Sequence, residues 1–203
     1  MNRGNAKKPV SDIRYMTMTA MLSAVAYVLM MLEFSIPIMP PFIKMDLSEL
    51  PALIGSFSMG PVSGVVICLI KNLLHLPLST TGGVGELSNF ILGALFVAPA
   101  GILYRIKKGR KYAFIGSMIG AVIMSLVSVA SNYFIVYPFY TAFMPMKEII
   151  NAYQIIYPKA DTLLKCLVIF NMPFTFVKGL LNVLITFLIY KHISPIIKGT
   201  QSK

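Results

Sequence analysis

An all-α integral membrane fold of six transmembrane helices, with N- and C-termini cytoplasmic, is predicted by three observations. Of the 203 residues, 57% are hydrophobic and 12% charged, with mean hydropathy +0.77, outside the mix expected of a soluble domain of this length. The apolar residues fall into runs of spanning length, roughly 20 residues each, which leave room for one transmembrane domain over residues 1–203 and no soluble appendage. The basic residues, which give a formal net charge of +11, gather beside these runs and on one side of them. That distribution is a topology signal and not a nucleic-acid footprint.

The first helix runs from about Tyr15 to Leu32 and ends at Glu33 and the prolines Pro37, Pro40 and Pro41. The preceding MNRGNAKKPVSDIR lacks the apolar core and small-residue cleavage site of a removable signal peptide, so the first helix is expected to stay. Apolar sequence from Leu47 to Leu76 is cut at Met59-Gly60-Pro61, because proline lacks the amide and disfavours helix at the residue before it. A hairpin of two short or tilted helices, the second and third, is expected there. The fourth helix spans Val84 to Tyr104, the fifth Tyr112 to Tyr137 and the sixth Cys166 to Tyr190.

Most of the 18 basic residues lie in three sets: Arg3, Lys7, Lys8 and Arg14; Arg105, Lys107, Lys108, Arg110 and Lys111; and Lys191, Lys198 and Lys203. The positive-inside rule puts these sets, and both termini, in the cytoplasm. The opposite connections, Glu33 to Asp46, Pro77 to Gly83 and Pro138 to Lys165, are the longer ones, where a ligand lid belongs.

On the sixth helix Asn171, Thr175, Lys178 and Asn182 recur at steps of four, three and four, so they share one stripe. A charge facing lipid at mid-helix costs roughly 2.5–3.5 kcal/mol, so Lys178 is expected to face protein or a cavity. Asn182 reads as interhelical hydrogen-bond glue. Asn89, Asn132 and Asn171 each sit roughly 8 Å inside the outer end of their helix, a depth that suggests an outward-opening cup. Tyr133, Phe134, Tyr137, Phe170 and Phe174 are candidates for its apolar walls. Asp46 and Glu49 read as N-cap and N3 of the second helix, and Glu86 sits in the first turn of the fourth, where an anion is favoured, and is also a candidate ligand contact. His75 and His192 are expected to be structural or interfacial, Cys68 and Cys166 buried and free, and no metal site is expected. No nucleophile motif or phosphate-binding G-x-x-x-x-G-K-[ST] is present, so the chain is not read as an enzyme and the energy for any transport comes from elsewhere. Small residues four apart, Ala20 and Ala24 in AMLSA and Gly116 and Gly120 in GSMIG, permit close helix approach.

The ordered segments AMLSA, PPFIKMDLSELPALIGSF, MGPVSGVVICLIKNLLH, GELSNFILGALF, SNYFIVYPFY and MPFTFVKGLL resemble the riboflavin-specific S components of energy-coupling-factor (ECF) transporters, small six-helix vitamin-binding proteins of the bacterial cell membrane. The resemblance implies the S-component fold and riboflavin as transported ligand, with no cofactor. It also implies a transmembrane scaffold subunit as partner, linked to two cytosolic ATPases, with Ala20 and Ala24 as the docking surface. It places the pocket on the outer side under the first outer loop, with Asn132 and Lys178 around the isoalloxazine ring. Phe42 and Lys44 of that loop join Thr175, Asn171, Asn89 and Glu86 as the other expected ligand-binding residues. Family members often carry Asn where this chain has Thr175, and Asn171 one turn earlier stands in. Another vitamin, such as folate or pantothenate, is the alternative cargo; an intramembrane enzyme or small channel carries little weight.

Overall fold

A computed structural model describes residues 9–198 apart from 41 and 143. Arg3, Lys7, Lys8, Pro41 and Lys203 therefore lie outside the described residues, as do the side chains of Lys191, His192 and Lys198.

Helix α1 (Pro9–Met31) leads into a small antiparallel hairpin, β1 (Phe34–Ser35) and β2 (Lys44–Met45), paired Phe34 to Met45 and Ser35 to Lys44. Then follow α2 (Glu49–Met59), α3 (Pro61–His75) and α4 (Val84–Ile106). Helix α5 (Arg110–Ser131) passes through a π turn, Asn132–Val136, into α6 (Tyr137–Tyr140). A short surface helix α7 (Met146–Gln154) precedes α8 (Leu163–Cys166), which a second π turn, Leu167–Asn171, joins to α9 (Met172–Lys198). Pro138 and Pro173 each follow a π turn closely. Proline removes one ladder donor and clashes with the carbonyl four residues back, and a widened turn absorbs both.

Five segments are long and apolar enough to cross a membrane: Ile13–Met31, Pro61–Leu78, Val84–Ile106, Arg110–Tyr140 and Leu163–Tyr190. Helix α2 is different. Its 11 residues rise about 16 Å, and every residue from Glu49 to Phe57 is buried, so protein rather than lipid surrounds it. The break between α2 and α3 is where the sequence puts it: Gly60 adopts φ 111°, a left-handed conformation that favours glycine, and Pro61 opens α3.

The core runs through α2, α3, α4, α5 and α9, with Leu53, Ile67, Phe96, Val97, Ala121 and Val183 buried together. Gly116 and Gly120 belong to this packing. A Cβ on Gly120 would stand 2.1 Å from the Phe96 carbonyl oxygen, and one on Gly116 would stand 2.9 Å from Ala100 Cα. On α1 the stripe Thr19, Ser23, Ala26 and Met30 is buried, with Thr19 Oγ1 3.0 Å from Ser63 Oγ of α3, while Ala20 and Ala24 are exposed. The two small-residue pairs thus have opposite fates, one inside the bundle and one on its surface.

Candidate functional site

The three long connections meet at one end of the bundle. Phe42, after the hairpin tip, packs edge-on against Tyr137 at 6.3 Å and Tyr153 at 5.8 Å, and His75 of α3 bonds Glu86 of α4. Beneath them lie two adjoining cavities, an outer one of about 610 Å³ and an inner one of about 200 Å³, which share Phe42, Lys44, Asn89 and Lys178 in their walls. Asn132, Asn171 and Thr175 line the inner cavity and Glu86 the outer one. The eight residues expected to bind ligand therefore surround one connected space. Of the aromatic candidates, Tyr137 and Phe174 line the inner cavity. Phe170 is buried instead against Tyr153, and Tyr133 and Phe134 are exposed on the surface of the bundle.

The polar walls are arranged by neighbours that each satisfy part of a side chain. Asn132 Nδ2 donates to the Ser128 carbonyl at 2.8 Å, which leaves its Oδ1 for the cavity. Asn171 Oδ1 accepts from Tyr153 Oη at 2.7 Å, which leaves its Nδ2. Tyr153 in turn touches Tyr137 hydroxyl to hydroxyl, and its burial, with Tyr137 beside it, pushes its pKa up. Asn89 Oδ1 is buried without a partner among the described residues. The π turns aim this set: Asn132 opens the first and Asn171 closes the second.

Lys178 faces protein and cavity, as its cost in lipid requires, and its partners are carboxylates. Nζ lies 2.8 Å from Asp46 Oδ2 and 3.3 Å from Glu49 Oε2. Glu49 Oε1 accepts from Lys71 Nζ at 2.9 Å, and Lys71, fully buried, also donates to Ser48 Oγ. Two cations and two anions thus balance one another beside the inner cavity. The N-cap reading of Asp46 is overturned: Ser48 occupies the N-cap position and Glu49 is the first residue of α2. Asp46 Oδ1 accepts from Ser48 N at 2.8 Å and from its hydroxyl, so the carboxylate braces the turn before the helix while its other oxygen holds Lys178. Burial disfavours its charge, yet Lys178 and Lys71, with hydrogen bonds from Lys178 and Ser48, hold the Asp46 carboxyl well below the usual carboxylate range.

Sequence reasoning left His75 without a partner and Lys71 without a role. His75 Nδ1 lies 2.8 Å from Glu86 Oε1, while Ser79 and Thr81 donate to Glu86 Oε2 at 2.7 and 3.2 Å. The signal for the buried cluster was available as a count: four charges of balanced sign in apolar surroundings, none affordable alone. Asn182 is buried but does not act as interhelical glue: its Nδ2 donates to the Lys178 carbonyl one turn back on the same helix at 2.9 Å, and its Oδ1 has no partner among the described residues. Lys44 pairs with Glu33 within the hairpin. Among the described residues no group of three or more His, Cys, Asp or Glu is arranged to hold a metal ion.

The family model "ECF transporter, substrate-specific component" matches residues 14–190. "Riboflavin transporter RibU" of Staphylococcus aureus (strain TCH60) is 31% identical over 195 residues, 96% of this chain and 98% of that protein. "Riboflavin transporter FmnP" of Bacillus subtilis (strain 168) is 29% identical over 194 residues, 94% of this chain and 97% of that protein. A solved structure of the S component of a bacterial ECF transporter is similar with a TM-score of 0.73 at 30% identity, over 92% of this chain and 99% of that one. The chain belongs to the family of ECF transporter substrate-specific components.

Proposed function

We propose, with that membership as premise, that this S component captures riboflavin in the inner cavity and brings it into the cell with an ECF module. The observation that carries the reading is the polar set left over there: one acceptor on Asn132, one amide donor on Asn171 and a remaining N–H of the Lys178 ammonium. The pyrimidine edge of isoalloxazine presents a ring N–H between two carbonyls, the complement of one acceptor between two donors. Phe42, Tyr137 and Phe174 give flat apolar walls to a planar ring system. The ribityl hydroxyls fall to the outer cavity, where Glu86, Thr81 and His75 offer acceptors and donors.

Charge balance favours this cargo over folate or pantothenate. Both carry a carboxylate, and the cations near the inner cavity, Lys44, Lys71 and Lys178, are already matched by Glu33, Asp46 and Glu49. A buried anion there would find no free counter-charge. Riboflavin is cargo, and the chain is a transport component and not an enzyme. Two relatives named as riboflavin transporters, similar over nearly their whole length, support the same reading.

The topology that fits is six passes across the bacterial plasma membrane by a single domain, with both termini cytoplasmic. Helix α2 makes the second pass, short because the hairpin and Asp46 carry the chain part of the way and because protein encloses it. Exposed Ala20 and Ala24 form the docking stripe for the scaffold subunit, through which two cytosolic ATPases supply the energy.

Titration of purified protein into riboflavin, followed by flavin fluorescence, is expected to quench it stoichiometrically, with folate and pantothenate failing to compete. Displacement by either vitamin at equal concentration overturns the cargo. Ala20→Trp is expected to abolish co-purification with the scaffold while quenching persists; undiminished complex formation removes the docking stripe.

A further inference from the structure

The hairpin that covers the cavities is attached at two places of different chemistry. Its far side is apolar: Met39 is buried with Tyr137, Tyr153 and Phe170, and Phe42 leans on the same tyrosines. Its near side is ionic. Asp46 directly follows β2, is 4% exposed, and reaches across to Lys178 on α9, 132 residues away in the chain. Glu49 also holds Lys178 but belongs to α2 and is fixed from behind by Lys71, so it remains with the bundle whatever the hairpin does. An ammonium has three N–H donors. Asp46 takes one, Glu49 Oε2 stands 3.3 Å away as an ion-pair partner, and Lys178, in the wall of both cavities, keeps a donor for an acceptor inside.

We infer that Asp46 is a positioning residue through which lid closure and ligand recognition become one event. With the hairpin down, Asp46 fixes the Lys178 ammonium so that a free donor meets the ligand carbonyl. With the hairpin raised, Lys178 keeps only Glu49 and its donors lose their fixed direction. A ligand that engages Lys178 therefore favours the arrangement in which Asp46 is engaged too, and by reciprocity the Asp46 contact slows ligand escape. This inference rests on the reading that riboflavin occupies the inner cavity. It differs from a bracing role for Asp46, because the Oδ1 bonds to Ser48 N–H and hydroxyl need only a carbonyl oxygen, which asparagine also has.

The test is stopped-flow riboflavin binding to the purified full chain in wild type, Asp46→Asn, Lys178→Met and the double variant. Loss of one partner of a buried charged pair acts mainly on dissociation, so Asp46→Asn is expected to speed dissociation about tenfold or more and to change association by less than about threefold. In the Lys178→Met background the same substitution is expected to alter dissociation by less than about twofold, because the pair is already gone. An unchanged dissociation rate in Asp46→Asn, or equal effects in both backgrounds, overturns the inference. If Lys178→Met does not fold, Met39→Cys serves as reporter, since that position, in the hairpin's own connecting loop, is buried against Tyr137, Tyr153 and Phe170, and the native Cys68 and Cys166 are fully buried. Riboflavin is expected to protect this thiol from maleimide in the wild-type background and to lose most of that protection with Asp46→Asn; equal protection overturns the inference. Failure of wild type to quench riboflavin overturns both this inference and the reading beneath it, whereas quenching with unaltered kinetics in Asp46→Asn overturns this inference alone.

Discussion

At the end of the bundle where Arg105 to Lys111 join α4 to α5, helices meet through small residues and aromatic edges: Gly101 and Gly116 press onto neighbouring backbones, and Phe57 packs T-shaped against Tyr104 and Tyr190. At the hairpin end the same helices stand apart around two cavities, and paired polar groups line the gap: Lys178 with Asp46 and Glu49, Asn171 with Tyr153, His75 with Glu86. The difference shows how one bundle supports both rigidity and a binding space. Opening a cavity forfeits dispersion contacts, and the hairpin end replaces them with hydrogen bonds whose spare donors and acceptors serve the ligand. The close-packed half bears no such demand, and a Cβ at Gly101 or Gly116 would meet neighbouring atoms at once.

The sharpest contrast is expected from Gly120→Leu. A side chain there meets the Phe96 carbonyl at once, so stability should fall by about 3 kcal/mol or more; any folded fraction should bind riboflavin normally. Size-exclusion profile and thermal unfolding read the first effect, fluorescence quenching the second. Lost affinity with unchanged stability would erase the division between the two halves. Asn132→Leu should do the reverse, weakening binding by about 1–3 kcal/mol, roughly fivefold to over a hundredfold, with little change in melting temperature.

Tyr153→Phe should have a smaller effect of the same kind. It frees Asn171 Oδ1 and leaves that amide without fixed orientation, so affinity should drop by about 1 kcal/mol, roughly fivefold, measured by the same titration. The smallest effect concerns pH. Because Asp46 is held below its ordinary carboxylate value in the folded protein, its charge contributes stability that is complete above the unfolded value, about 3.9, and lost as pH falls toward the folded one. The melting-temperature advantage of wild type over Asp46→Asn should be flat from about pH 8 to 5 and shrink below about pH 4. An advantage that grows on acidification would reverse the sign assigned to Asp46.

Much of the site was legible because membrane chemistry makes polar residues conspicuous. The stripe Asn171, Thr175 and Lys178 follows from helical spacing, and the cavity they share with Asn132 and Asn89 from their common depth. Phe134 failed as a wall residue since it follows Asn132 by two positions, and even in a π turn two positions do not share a face. Asp46 failed as an N-cap because local sequence offered a satisfactory partner, Ser48, while the stronger one, Lys178, lay 132 residues away. The match of Tyr153 with Asn171 was equally hidden: α7 lies in a connection, and only its docking under the hairpin buries Ile149 and Tyr153.

By itself the sequence determined that the chain spans a membrane, where its second and third helices part and which residues had to be shielded from lipid, because burial in hydrocarbon constrains each residue individually. The tertiary structure decided who shields whom. Asp46, Glu49, Lys71 and Lys178 are four separate costs along the chain and one neutral cluster in space. Ala20 faces outward and Gly120 inward though both sit in small-residue pairs. Pairing energies depend on distances of a few ångströms between elements far apart in sequence, and no local pattern fixes those until the helices have packed.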